Sequence, residues 1–376
     1  MSAALVAGAT LGNLGANLMP VLLPGMAHRF HLSSSVVGLV ATIQLLTTAM
    51  ATLALTSRVA RPGRARIARW GLVATVAGFA LAAVAPNLTA LICANILAGL
   101  GLGVVNATAM AAIAATGDTD KASTVAVLGG TVTLALLVLI VPAVNGAEGS
   151  AAGFALLTAC CLPVFWLLRA LPDAAEPEHG EVTQTPLPVF FLLALAMLGA
   201  TDQGAWSYSG VLGEDYAGMS SSAVSTVLAV ASIVALVGVA LSRPAARRLG
   251  RLVALGVFLA VEAFTKLAIA AVPDGSVFTA AAILWQVCYM GVLVSVLAVA
   301  AAADGSGRWV AASSGALAIG AGLGPAAAGW VLDSWGPVAL GVVLAVATAA
   351  AAIPVLRTCR TAERTPGQVL QLAPQT

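Results

Sequence analysis

The sequence predicts an all-α integral membrane protein in which twelve transmembrane helices form two pseudo-symmetric six-helix bundles. Three observations carry that prediction. The 376-residue chain is 60% hydrophobic and only 9% charged. It divides into apolar runs long enough to cross a bilayer. A Ser-Arg pattern recurs at the same place in each half.

Composition sets the solvent. Soluble domains carry about 25% charged residues, so a chain at 9% with a mean hydropathy of +1.01 has too little polar surface to face water. In lipid every backbone N–H and C=O must be satisfied internally. The runs are rich in Ala, Leu, Val and Gly without period-2 alternation, which selects helices over a β-barrel. The net charge of +2 forms no basic patch interleaved with aromatics, so nucleic acid is not a partner. Cys93, Cys160, Cys161, Cys288 and Cys359 show neither metal-ligand nor disulfide spacing and read as small packing residues. Residues 1–23 lack a basic segment ahead of the apolar run and read as a retained helix rather than a cleaved signal. The heavy use of Ala, Val, Gly and Arg, with few lysines, points to a bacterial GC-rich genome.

A span needs about 20 apolar residues. The runs fall near 3–25, 35–56, 69–86, 88–116, 122–144, 150–170, 187–211, 220–241, 252–272, 276–302, 309–332 and 337–356. The long polar stretch lies between the sixth and seventh, where Asp173, Glu176, Glu178, His179 and Glu181 mark a solvated linker. The expected organisation is a first bundle at 1–171, a linker at 172–186, a second bundle at 187–357 and a tail at 358–376. Of the 17 Lys and Arg residues, all but Arg29 and Lys266 fall in even-numbered gaps or after the last span. Basic residues collect on the cytoplasmic side, so both termini and the linker are expected there, in a cell membrane.

The halves repeat. Ser57-Arg58, followed by Arg61 and Arg64, is mirrored by Ser242-Arg243, followed by Arg247 and Arg248, and each pair follows the second run of its half. Internal duplication of this kind marks transporters whose substrate site lies near mid-membrane between the repeats.

These residues resemble the major facilitator superfamily, across essentially the whole chain. That family carries a Gly-x-x-x-Asp-Arg-x-Gly-Arg-Arg type of motif in its second and eighth loops. Gly238, Arg243 and Arg58 match it, while Ser57 and Ser242 stand where the motif has its acid. The family motif steadies the outward-facing state from the cytoplasmic side, and loss of the acid weakens that lock. Gly320, Gly324 and Pro325 resemble the Gly-x-x-x-Gly-Pro motif that family exporters carry in helix 5, here on its repeat counterpart, helix 11; ordinary small-residue packing explains the same run. Asn95, ahead of Gly99, Gly101 and Gly103, stands where proton-coupled drug exporters of the family have an arginine, and Pro20 and Pro24 are similar to a helix 1 proline motif in those exporters.

Ionisable residues inside spans are functional candidates because burying charge in lipid is costly. Asp202 lies midway along helix 7, four residues before Trp206 and so on the same face. An acid beside an aromatic plane suits an organic cation, and an acid out of water binds protons more readily, which makes Asp202 a candidate proton carrier too. Glu262 is the second coupling candidate, although its i,i+4 spacing to Lys266 reads first as a structural pair. The resemblance implies that helices 1, 4, 7 and 10 line a central cavity. Asn13 and Asn17, Asn106, then Gln203 and Tyr208 with Trp206, and Trp285, Gln286 and Tyr289 are the corresponding candidates, joined by Gln44 of helix 2. His28 and His31 flank Arg29 in the first external loop, too few ligands for a metal, and Glu214 and Asp215 mark the outer mouth.

The expected protein is a monomeric secondary active transporter that moves a small organic molecule by alternating access, with proton-coupled export of a drug-like or metabolite substrate as the leading reading. An uptake symporter or uncoupled facilitator for a small polar metabolite is the alternative. A membrane sensor of the same fold would carry a soluble signalling domain, and a membrane enzyme would need a catalytic cluster; the sequence shows neither, and no cofactor is implied.

Overall fold

A computed structural model describes residues 2–59, 61–116, 118–172, 188–304 and 308–364. The linker acids Asp173 to Glu181 and the chain after 364 lie outside the described residues. The first half comprises α1 (Ser2–Phe30), α2 (Ser34–Val59), α3 (Arg64–Val84), α4 (Leu88–Ala114), α5 (Thr119–Glu148) and α6 (Ala152–Cys161), which short helical turns extend to Ala170. The second half comprises α7 (Val189–Val211), with a π-helical turn at Leu212–Tyr216, then α8 (Ser221–Leu249), α9 (Arg251–Ala271), α10 (Gly275–Ala303) and α11 (Arg308–Arg364). Side-chain caps start several of them: Asn87 accepts from the Ala90 amide at 2.9 Å, and Asp274 from those of Ser276 and Val277 at 2.9 and 3.0 Å.

Among the described residues eleven helices are long and apolar enough to cross a membrane, where the sequence led us to expect twelve. The difference lies in α11. The runs near 309–332 and 337–356 follow one another without a loop and are parted at Gly336, whose φ of 78° and ψ of 179° are not helical. Only glycine enters that region readily.

The helices also reach further than their apolar runs. Arg64, Arg66 and Arg69 belong to α3, Arg58 to α2, and Arg243, Arg247 and Arg248 to α8, where loops were expected. Arg58, Arg66, Arg243, Arg247 and Arg248 stay exposed while the backbone goes on winding, whereas Arg64 turns inward. Likewise His28 and Arg29 sit in the last turn of α1 rather than in a loop. The last helix runs to Arg364, past the boundary of 357 expected for the second bundle.

The outer face is apolar, with Trp70, Phe190, Leu193, Phe264 and Val346 exposed as lipid would require. Inside, small residues bring helices together. A Cβ at Gly320 or Gly324 would collide with the carbonyl oxygens of Ala196 and Ala200 on α7, and one at Gly238 with that of Val287 on α10. The Gly320, Gly324 and Gly238 matches are therefore sites of close helix approach.

The halves meet through α1 with α7, α2 with α11, and α5 with α8. They are not joined evenly along their length. One apolar core runs through the first half and into the second at Ala205–Leu212, Val224–Ala229, Ala268–Ala270, Phe278–Trp285 and Ala328–Leu344. A separate core holds Phe191–Leu198, Leu255, Leu259, Val292–Ala300 and Ala351–Cys359, all in the second half. Along every helix of that half, the shared core lies toward the end carrying the α7–α8 and α9–α10 connections and Gly336. Toward the arginine-bearing end, the second half has a core of its own.

Candidate functional site

Asp202, Glu262 and Lys266 form one cluster. The Lys266 Nζ lies 2.6 Å from Asp202 Oδ1 and 2.6 Å from Glu262 Oε1. It also donates to Thr201 Oγ1 at 3.0 Å and Thr348 Oγ1 at 3.1 Å. The sequence revealed the Glu262–Lys266 pair, one turn apart on α9. It did not reveal that Asp202 shares the same ammonium. The Glu262 and Lys266 side chains have no exposed surface, while Asp202 keeps 11% of its side chain exposed. The Trp285 indole donates to Asp202 Oδ1 at 3.4 Å. Asp202 therefore carries its own counter-ion, which changes the expectation of an acid left free for an organic cation.

Beside the cluster the two halves touch through aromatic and amide groups. Trp206 and Trp285 lie with ring centroids 6.1 Å apart, tilted by 57°. Trp206 Nε1 donates to the Asn17 carbonyl at 3.1 Å, and Gln203 Nε2 to the Ala16 carbonyl at 3.0 Å, so α7 leans on α1. Asn13 is exposed, and its side-chain amide donates to the Ala9 carbonyl at 3.0 Å. Tyr289 is half-buried against the shared core, and Gln286 is buried beside Trp285. Asp202, Trp206 and Trp285 thus come together, with Gln203 beside them and the main chain of Asn17 opposite, while the Asn17 amide donates back to the Asn13 carbonyl at 2.9 Å.

Other candidates lie apart from this patch. Gln44 and Asn106 pack against glycines of α1: a Cβ at Gly15 would approach Gln44 Nε2 to 3.0 Å, and one at Gly12 would strike Asn106 Oδ1. Both of those polar atoms are buried without a hydrogen-bond partner. Asn95 turns back on its own helix, donating to the Leu91 carbonyl at 2.8 Å. Tyr208 is six residues beyond Asp202, about 9 Å along the axis, and its hydroxyl donates to the Ser34 carbonyl at 2.6 Å. It belongs to the contact between halves at the fused end rather than to the aromatic patch.

That contact contains residues the sequence did not single out. Asp333 accepts from the backbone amides of Ser34 and Ser35, and the Ala326 amide donates to Thr42 Oγ1 at 3.0 Å. Arg29 also has a structural role, donating to the carbonyls of Ala82 and Ala85 at 3.0 and 2.8 Å at the end of α3. Arg58 and Arg243, the motif arginines, are exposed, whereas Arg64 is buried and donates to the Val59 and Pro172 carbonyls, each at 3.0 Å. A cleft of about 160 Å³ between α7 and α11 has Thr201 as its one polar lining residue. No cluster of metal ligands occurs among the described residues.

Two helical bundles closed on each other at one end, with a polar and aromatic patch where they part, define a polytopic membrane carrier. The family model described as Major Facilitator Superfamily matches residues 4–305, and the chain belongs to that superfamily. The fold is similar to the crystal structure of a mutant of the nucleoside transporter NupG, with a TM-score of 0.75 at 12% identity over 95% of this chain and 98% of that one. At that identity the likeness concerns the fold. No curated protein matches the chain. The protein is a multi-pass membrane protein and a secondary transporter of small molecules, not an enzyme.

Proposed function

We propose that the chain exports a small, planar, uncharged organic molecule in exchange for protons, by rocking two six-helix halves about the Trp206–Trp285 patch. The observation that carries the reading is the partition of the core, shared by both halves at one end and separate at the other. The patch lies where the two cores adjoin, with Trp206 and Trp285 at the edge of the shared one. Neutralisation of Asp202 by Lys266 supports an uncharged substrate over a cation. The paired indoles suit a planar one, and the structurally similar NupG is named a nucleoside transporter.

Twelve crossings follow if Gly336 divides α11. A helix of 57 residues would be about 85 Å long against a hydrocarbon core of about 30 Å. With the arginine-bearing ends in the cytoplasm, both termini are cytoplasmic, the fused end is external, and the arrangement is inward-facing. The protein would then act as a monomer in a bacterial cell membrane. Uptake of the same molecule fits this geometry equally and is separated from export by the direction of the driving pH gradient.

The test is counterflow and thermal stabilisation of the full chain with uridine and with tetraphenylphosphonium as probes. Uridine should stabilise the wild type, and Trp206→Ala should lose that response. Stabilisation by the cation alone, or equal responses from wild type and Trp206→Ala, would overturn the reading.

A further inference from the structure

The cluster behind the aromatic patch has one cation for two acids. The Lys266 ammonium has three N–H groups, and four oxygens stand within 3.1 Å of it. It is saturated and stays charged. With both carboxyls ionised, the site would hold a net negative charge in the membrane, where uncompensated charge is costly. The two carboxyls also face the same ammonium, each at 2.6 Å, which leaves their bound oxygens at most about 5.2 Å apart. Two ionised carboxylates held that close in the membrane repel each other. Glu262 Oε2, meanwhile, is buried with no hydrogen-bond partner. A single proton accounts for all three facts.

We propose that Asp202, Glu262 and Lys266 form a binding site for one exchangeable proton, shared between the two carboxyls. Asp202 is the entry, because it alone of the three keeps exposed side-chain surface. Lys266 is the fixed counter-charge. Uptake adds a proton from water to a carboxylate to give the carboxylic acid, and release reverses it. The neighbours are accounted for on every side. Helix α10 contributes Tyr289 and Cys288, which feel these charges, together with the Trp285 donor; α7 contributes Thr201 and α11 contributes Thr348, both uncharged.

The site has a route to the substrate. Trp285 holds Asp202 by its indole N–H and faces Trp206 by its ring, so the charge on Asp202 bears on one wall of the patch. This use of the proton rests on the coupling reading above, whereas its binding does not.

The experiment is infrared spectroscopy of the full chain in lipid nanodiscs, titrated between about pH 6 and 10, where exposed carboxyls are already ionised. The wild type should show the carbonyl stretch of one protonated carboxylic acid, disappearing as the pH rises. Glu262→Gln and Asp202→Asn should each abolish it. Each amide can donate where the shared proton did, so the fold should survive. Thr348→Val, which removes a neutral neighbour, should keep the band. Absence of the band in the wild type across the range, or its persistence in both amide variants, would overturn the proposal. If the band behaves as expected but a pH gradient fails to drive counterflow, the coupling reading falls and the proton site stands.

Discussion

Asp333 and Ser35 bind each other across the two halves: an Asp333 carboxylate oxygen accepts from the Ser35 amide at 2.6 Å while its other oxygen takes the Ser34 amide at 3.1 Å. Those amides open α2 and have no partner within their own helix. The second half thus supplies the cap of a helix in the first. With the Tyr208 hydroxyl on the Ser34 carbonyl, the first turn of α2 is held on both polar sides.

Asp333→Ala should therefore loosen the fused end without unfolding either half. A charged cap contributes about 1–2 kcal/mol, which corresponds to roughly a 5- to 30-fold shift toward separation of the ends. Spin labels on Glu148 and Thr226, exposed at that end on different halves, should show a longer, broader distance distribution. An unchanged distribution would mean that the apolar core alone holds the end shut.

Lys266→Met should be among the most damaging single substitutions. It leaves two buried acids without their cation, and breaking a buried ion pair from one side costs about 3–5 kcal/mol. Thermal melting should fall sharply, and adding Glu262→Gln to the same chain should restore part of the loss. A double variant no better than the single one would show that packing around Lys266, not charge, sets the cost.

Gly320→Val should separate α7 from α11. Its branched side chain would meet the backbone of Ala196, which cannot swing away as a side chain can. Overpacking of this kind costs about 1–3 kcal/mol. Folded yield and melting temperature report it, and Ala196→Gly should not rescue it, because the obstructing atom is the carbonyl oxygen.

Gly336→Ala should cost about 1–3 kcal/mol through the backbone alone, because its φ of 78° suits only glycine and no neighbouring atom lies within 4 Å of an added Cβ. A melting temperature equal to wild type would show that the break in α11 is not needed for the fold.

The membrane class and the helical spans were legible because each span must present about 20 apolar residues to lipid, a signal that needs no knowledge of neighbours. Gly238, Gly320 and Gly324 were legible as small residues, and the structure supplied which carbonyls they admit. Asp202–Lys266 was not legible. The pair is 64 residues apart on two helices, and only the nearer, one-turn Glu262–Lys266 pairing is written into local sequence. Tyr208 shares a helix with Asp202 but stands too far along the axis to share its site. Asp333 gave no signal, because its partners are backbone amides, which leave no trace in residue identity.

The burial of Lys266 leaves this protein with very little amine chemistry. Its sequence holds two lysines, and the other, Lys121, is exposed at the start of α5. Amine-reactive dyes, biotin esters or lysine crosslinkers applied to the folded chain should modify Lys121 while sparing Lys266. Fluorescent or affinity tags can thus be placed at one known internal position without engineering the chain. Trypsin mapping after unfolding would then show reagent at position 266 only if the bundle had opened.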